Sequence, residues 1–181
     1  VLAVLIGGMR WRGLRRALLE TAETTALIFM ILLGAEIFNA FLALTQMPAG
    51  LAKAVGELDL APMVVLGAMM FVYLILGCVM ESMAMVLLTI PVFYPIILAQ
   101  DFGLTPDQLG VWFGILALMV VEMGMITPPF GLNIFVINAM ARDVPMRDTY
   151  IGVLPFVASD IVRTLVIMFV PATTLLVPGL M

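Results

Sequence analysis

Gly124-Met125-Ile126-Thr127-Pro128-Pro129-Phe130-Gly131 lies in the middle of an apolar run from Leu109 to Ala139 that is otherwise fit to cross a membrane. Pro128 and Pro129 lack a backbone donor, and each ring clashes with the preceding turn, so a helix must break here. In hydrocarbon an unpaired backbone group costs several kcal/mol. Broken backbone therefore survives at depth only where it is buried in protein or lines a wet cavity. The whole run has 31 residues, about 45 Å as one straight helix against about 30 Å of hydrocarbon. A tilted helix in two pieces fits that length.

The rest of the chain supports a membrane setting. Of 181 residues 64% are hydrophobic and 11% charged, against about 25% charged in soluble domains. Apolar segments recur along the whole length, as in an integral membrane protein rather than a soluble domain with an anchor. The net charge of −4 is too thinly spread for a nucleic-acid partner, and none is expected. The single cysteine, Cys78, excludes an internal disulfide and a cysteine-based metal site. The absence of histidine excludes catalytic triads and histidine-ligated metals, and no enzyme is expected. The 16 methionines are scattered rather than spaced as copper ligands.

Using about 20 residues per span, the chain divides as follows. Residues 1–23 hold the end of a preceding helix (Val1 to Gly8) and a basic segment, a layout that suits a start partway through a larger protein rather than a signal peptide. Residues 24–60 hold a transmembrane helix (Thr24 to Leu44) and a short amphipathic stretch (Pro48 to Leu58). Residues 61–98 form a helical pair, Ala61 to Gly77 and Met83 to Leu98, joined by Cys78-Val79-Met80-Glu81-Ser82. Residues 99–140 hold a loop and the broken helix, and 141–181 a loop and the last span, Tyr150 to Val177. Six of the eight Lys and Arg residues (Arg10, Arg12, Arg15, Arg16, Arg142 and Arg147) fall in two segments that the span count puts on one side. The positive-inside rule makes that side cytoplasmic. The C-terminus and the loop Gln100 to Gln108 of this multi-pass protein then lie outside, in the periplasm if the cell is Gram-negative, which makes the membrane a bacterial inner membrane. The pair at 61–98 leaves and returns on one side whether it spans or re-enters. Its turn has no Lys or Arg, which favours a re-entrant hairpin ending inside the protein.

Glu36, Glu81, Glu122, Asp160 and Arg163 are ionisable at expected membrane depth, where such groups mark ion or substrate pathways or buried pairs. Asp160 and Arg163, three apart on one helix face, read first as a structural ion pair; contact of Arg163 with an anionic substrate is the other reading. Glu36 and Asn39 also share a face and suit an interhelical hydrogen bond. Glu122 is placed to orient the broken loop or to take a proton. Glu81 sits at the hairpin tip beside Ser82, either as an idle loop acid or as a carboxylate next to exposed backbone.

The break offers free carbonyls and the Thr127 hydroxyl, and Asn133 and Asn138 add amides beyond it. Uncoiled carbonyls suit Na⁺, and the N-terminus of the second half-helix suits an anionic group. A kinked helix without ligand is the bland alternative, since prolines occur in membrane helices. Two prolines between glycines, with a second glycine-containing break at 77–82, favour a site. Thr127, Pro129 and Asn133 are the expected substrate-facing residues.

These segments resemble a family. Gly77-Cys78-Val79-Met80-Glu81-Ser82, then "LLTIPVFYPII", "FGLTPDQLGVWFGIL", "GMITPPFGLNIFV" and "VLPFVASDIV", are similar to the C-terminal part of the large membrane subunit of TRAP transporters, the tripartite ATP-independent periplasmic transporters. The resemblance implies an all-α polytopic membrane protein, the second inverted repeat of an elevator-type transporter, with a re-entrant hairpin and a discontinuous helix. It implies Na⁺ as coupling ion and no other cofactor, with Na⁺ bound by Gly77, Glu81 and Ser82 at the tip and Gly124, Thr127, Pro128 and Gly131 at the break. One departure is Glu81, where the family often has aspartate; the extra methylene moves the carboxylate. The implied function is a permease subunit for Na⁺-coupled import of small organic acids, working with a periplasmic substrate-binding protein and a small membrane subunit. An ion-coupled carrier without a binding protein is the alternative. On this reading the first hairpin and first broken helix lie outside these residues, and the chain does not transport alone.

Overall fold

The structure is a computed structural model that describes residues 11–128, 131–140 and 144–176. The secondary structure of the described residues is helical, without a strand: α1 (Trp11–Thr45), α2 (Met47–Glu57), α3 (Pro62–Gly77), α4 (Ser82–Leu98), α5 (Pro106–Ile126), α6 (Leu132–Met140), α7 (Met146–Phe169) and α8 (Ala172–Leu175). Two compact units divide at Phe38 and Asn39. The described part of the first is the N-terminal portion of α1, where Arg16 Nε donates to Glu20 Oε1 at 2.7 Å one turn on. All later helices lie in the second unit.

Local chemistry sets the boundaries. Helix α5 opens on a capping box: Thr105 Oγ1 accepts from Gln108 N (3.4 Å) and Gln108 Oε1 accepts from Thr105 N (3.2 Å), with Pro106 in the first turn. It ends at Thr127, whose extended backbone (φ −88°, ψ 132°) is what a residue before proline adopts. Helix α6 restarts after Gly131, which takes φ +52°, a left-handed value that glycine adopts at no steric cost. Helix α4 carries Pro91 and Pro95 one turn apart, so the Leu87 and Pro91 carbonyls have no i+4 donor.

Helix α5 is central to the second unit. Its buried residues Leu109, Trp112, Phe113, Leu116, Ala117, Val120 and Val121 recur at three- and four-residue spacing and pack on α3, α4 and α7. Tyr73 of α3 is fully buried, edge-on to Phe93 of α4 with centroids 5.0 Å apart. Its hydroxyl and that of Thr89 hydrogen-bond at 2.9 Å, tying the two arms of the hairpin together.

Helices α1, α5 and α7 are long and apolar enough to cross a membrane, and α3 and α4 are apolar but shorter. The chain is thus an integral, all-helical membrane protein. The final segment differs from the expected single span to Val177. Helix α7 stops at Phe169, because Val170 precedes Pro171, and the four-residue α8 follows. The first helix also begins well before Thr24, carrying the basic residues from Arg12 on within it.

Candidate functional site at the hairpin tip and the helix break

Glycines bring the two breaks together. A Cβ built on Gly77, the last residue of α3, would lie 2.8 Å from the Val121 carbonyl oxygen and 3.2 Å from Gly124 Cα. A Cβ on Gly124 would lie 2.8 Å from Gly77 Cα and 2.9 Å from the Leu74 carbonyl oxygen. Backbone meets backbone here, so only two residues without side chains allow the approach. The end of α3 is thereby held against the end of α5, immediately before each chain break.

One residue beyond this contact the two breaks meet again. Cys78 is buried, and its Sγ lies 3.8 Å from the Thr127 carbonyl oxygen and 3.2 Å from that of Leu74. The Thr127 hydroxyl donates to the Met123 carbonyl at 2.6 Å, leaving its own lone pairs free. A Cβ on Gly131 would sit 3.2 Å from the Thr127 carbonyl oxygen, so glycine there keeps that carbonyl uncovered. Thr127 thus presents two oxygens at the junction, one carbonyl and one hydroxyl.

Glu81 caps α4. Its two carboxylate oxygens accept from Met83 N (3.0 Å) and Ala84 N (2.9 Å), and Ser82 Oγ lies 3.4 Å from Oε1. The carboxylate satisfies donors that a helix start leaves orphaned and complements the positive end of the helix dipole. Its negative charge stays at the tip, exposed. The N-terminus of α6 is uncapped by any side chain among the described residues, with half-buried Asn133 in its first turn.

The candidate residues divide accordingly. The structure joins Gly77 to Gly124 and places Thr127 beside Gly131. Glu81 and Ser82 bond to each other and to α4. Pro128 is exposed, and Pro129 lies outside the described residues. Asn138 is engaged elsewhere, its Nδ2 donating to the Val144 carbonyl (3.0 Å) and Thr149 Oγ1 (3.3 Å), which fastens α6 to the start of α7. Asp160 and Arg163 pair at 2.8 Å, with the Arg163 side chain 61% exposed and the Asp160 side chain 25% exposed. Glu36 and Glu122 are exposed. Among the described residues neither side chain makes a hydrogen bond, and Asn39 Oδ1 is buried without a donor. Among the described residues no three Cys, Asp, Glu or His side chains cluster as metal ligands. The junction offers carbonyl and hydroxyl oxygen, a donor set for a hard cation.

The model of the tripartite ATP-independent periplasmic transporter DctM component matches residues 1–173. The chain belongs to the DctM component family. Within that family it is 35% identical over 173 residues to the C4-dicarboxylate TRAP transporter large permease protein DctM of Pseudomonas aeruginosa, covering 94% of this chain and 38% of that one. It is 33% identical to the sialic acid TRAP transporter large permease protein SiaM of Vibrio cholerae, covering 98% of this chain and 40% of SiaM. To the 2,3-diketo-L-gulonate TRAP transporter large permease protein YiaN of Escherichia coli it is 26% identical, covering 94% and 39%. The chain therefore spans about two fifths of the length of these relatives. They are transporter permeases, not enzymes.

In this DctM-component chain sequence reasoning missed Cys78, which it weighed only as a disulfide or metal ligand. Its position next to Gly77 was the available signal. It also missed Trp112, whose Nε1 donates to the Ile167 carbonyl at 2.8 Å. Pro171 has no N–H for that carbonyl, so the indole supplies the donor that the helix lacks.

Proposed function

We propose that the chain forms part of the membrane permease subunit of a binding-protein-dependent, Na⁺-coupled secondary transporter that imports small organic acids across a bacterial inner membrane. The observation that carries this reading is the meeting of the tip and the break: Gly77 against Gly124, and Cys78 Sγ beside the Thr127 carbonyl. Na⁺ binds Thr127 oxygens at that junction with Glu81 supplying nearby charge, and the substrate carboxylate lies at the N-terminus of α6 near Thr127, Pro129 and Asn133. Gly77, Gly124 and Gly131 act by letting the backbone close in and by leaving carbonyls uncovered.

Helices α3 and α4, with 16 and 17 residues, reach about 24 and 26 Å, short of about 30 Å of hydrocarbon. This supports a re-entrant hairpin, and with the broken α5–α6 helix it supports one inverted repeat of an elevator-type carrier. The basic N-terminal segment faces the cytoplasm and the C-terminus the periplasm. The partners are a small membrane subunit and a periplasmic substrate-binding protein; the names of the relatives point to organic acids as cargo.

The test is uptake into liposomes by the protein as its gene encodes it, with its binding protein and small subunit, across a range of Na⁺ concentrations. Thr127→Ala combined with Glu81→Ala should abolish the Na⁺ dependence. Uptake that the double variant leaves unchanged at every Na⁺ concentration would remove the site assignment.

A further inference from the structure

The two halves of the proposed ion site are carried on different arms of the hairpin. Gly77 closes α3 against Gly124 of α5, and Cys78 Sγ lies 3.8 Å from the Thr127 carbonyl oxygen. Val79 and Met80 still belong to this side, because both amides donate to the Leu76 carbonyl of α3, at 3.0 and 2.8 Å. Glu81 belongs to the other. Its backbone is extended (φ −69°, ψ 142°), and its carboxylate accepts from Met83 N and Ala84 N of α4. The Thr127 oxygens are thus tied to α3 and α5, while the tip carboxylate travels with α4. Whatever fixes α4 on α3 also fixes the distance between that charge and those oxygens.

Among the described residues one side-chain hydrogen bond joins the two arms, between Tyr73 and Thr89 at 2.9 Å. Its direction follows from the protons available. The Thr89 hydroxyl spends its single proton on the Met85 carbonyl at 2.7 Å, so the Tyr73 hydroxyl donates and Thr89 Oγ1 accepts. Met85 N in turn donates to the Glu81 carbonyl at 3.0 Å. The bonds therefore run from α3 into α4 and back to the residue that carries the tip charge. Tyr73 has no room to give way. It is fully buried, as is Met85, and its ring is edge-on to Phe93 of α4 and 6.3 Å from Phe113 of α5. It stands four residues before Gly77, about 6 Å along the helix from the glycine contact.

We propose that Tyr73 is a positioning residue for cation binding: its hydroxyl, through Thr89, sets where α4 stands on α3 and so where Glu81 stands relative to Thr127. The proposal rests on the reading of the junction as a cation site. Tyr73 itself touches no ion. Without its hydroxyl the aromatic core stays filled, but α4 is free to shift against α3, and the carboxylate spends less time near the Thr127 oxygens. The loss then appears in the affinity for Na⁺ and not in stability alone.

The experiment is equilibrium binding of radioactive sodium to the purified protein as its gene encodes it, at constant ionic strength and at a temperature where each variant is folded. Tyr73→Phe keeps the ring and should bind Na⁺ about five-fold more weakly, the equivalent of one neutral hydrogen bond. Thr89→Val, which removes the acceptor, should weaken binding as much, and the double variant no further. Thr89→Ser should bind as the wild type does, and the two Thr89 variants carry the test alone if Tyr73→Phe does not fold. Trp112→Phe removes a hydrogen bond to α7, away from the hairpin, and should leave the affinity unchanged. Wild-type affinity in folded Tyr73→Phe and Thr89→Val would overturn the positioning role and leave the junction standing. Equal weakening in Trp112→Phe, the sign of a merely structural effect, would overturn it too. The absence of saturable binding by the wild type would overturn the junction itself, and the positioning role with it.

Discussion

At Gly124 a single added methyl group would press on the backbone of α3 from 2.8 Å, with no flexible side chain to move aside. Gly124→Ala should destabilise the protein by about 1–3 kcal/mol, the usual scale of overpacking. Gly114→Ala, on the same helix with nothing within 4 Å of its Cβ, should be neutral or stabilising by up to about 1 kcal/mol. Thermal unfolding in detergent compares the two, and equal midpoints would contradict the close contact. Glu81 offers a separate test at this scale. Glu81→Ala removes the α4 cap and should cost about 0.5–2 kcal/mol, whereas Glu81→Gln keeps an acceptor oxygen and should cost less. If the charge serves the ion, Glu81→Gln should raise the Na⁺ concentration for half-maximal uptake while leaving the unfolding midpoint nearly unchanged. The break at Thr127-Pro128 and the tip glycine were legible as residues, because proline and glycine act through local backbone geometry. That Gly77 and Gly124 touch was not legible, since nothing local relates positions 47 residues apart.

Among the elements, α3, α4, α5 and α6 follow limits that sequence signals mark: Pro62 and Pro106 in first turns, Glu81 as a cap, and the proline pair. The end of α7 was read too late, because apolar composition continues through Pro171 to Val177 while the backbone cannot. The structure shows what the end of α7 gains instead. Trp112 Nε1 donates to the Ile167 carbonyl, which Pro171 leaves without a helical donor. Trp112→Phe keeps most of the packing but orphans that carbonyl, and should cost about 1–2 kcal/mol. Chemical unfolding in micelles measures the loss, and a change below about 0.3 kcal/mol would mean that the bond carries no weight. The shortness of α3 and α4 has a consequence for the pair. On the re-entrant arrangement proposed above, the turn at 78–81 ends inside the protein, and α5 packs on the end of α3 there.

For the whole molecule, composition and the recurrence of apolar segments made the membrane class legible. The resemblance of the tip and break motifs to TRAP permeases agrees with the family match over residues 1–173. What composition does not convey is the exposure of ionisable groups. Glu36, Glu122 and Arg163, read at membrane depth, are exposed within the described residues. The central claim is that the tip and the break form one cation site through Thr127 and Glu81. Equilibrium binding of radioactive sodium to the purified protein tests it without a substrate or partner. The account predicts saturable binding by the wild type that is lost when Thr127→Ala and Glu81→Ala are combined, with a folded protein by thermal unfolding. Saturable binding of unchanged affinity in that folded double variant would contradict it.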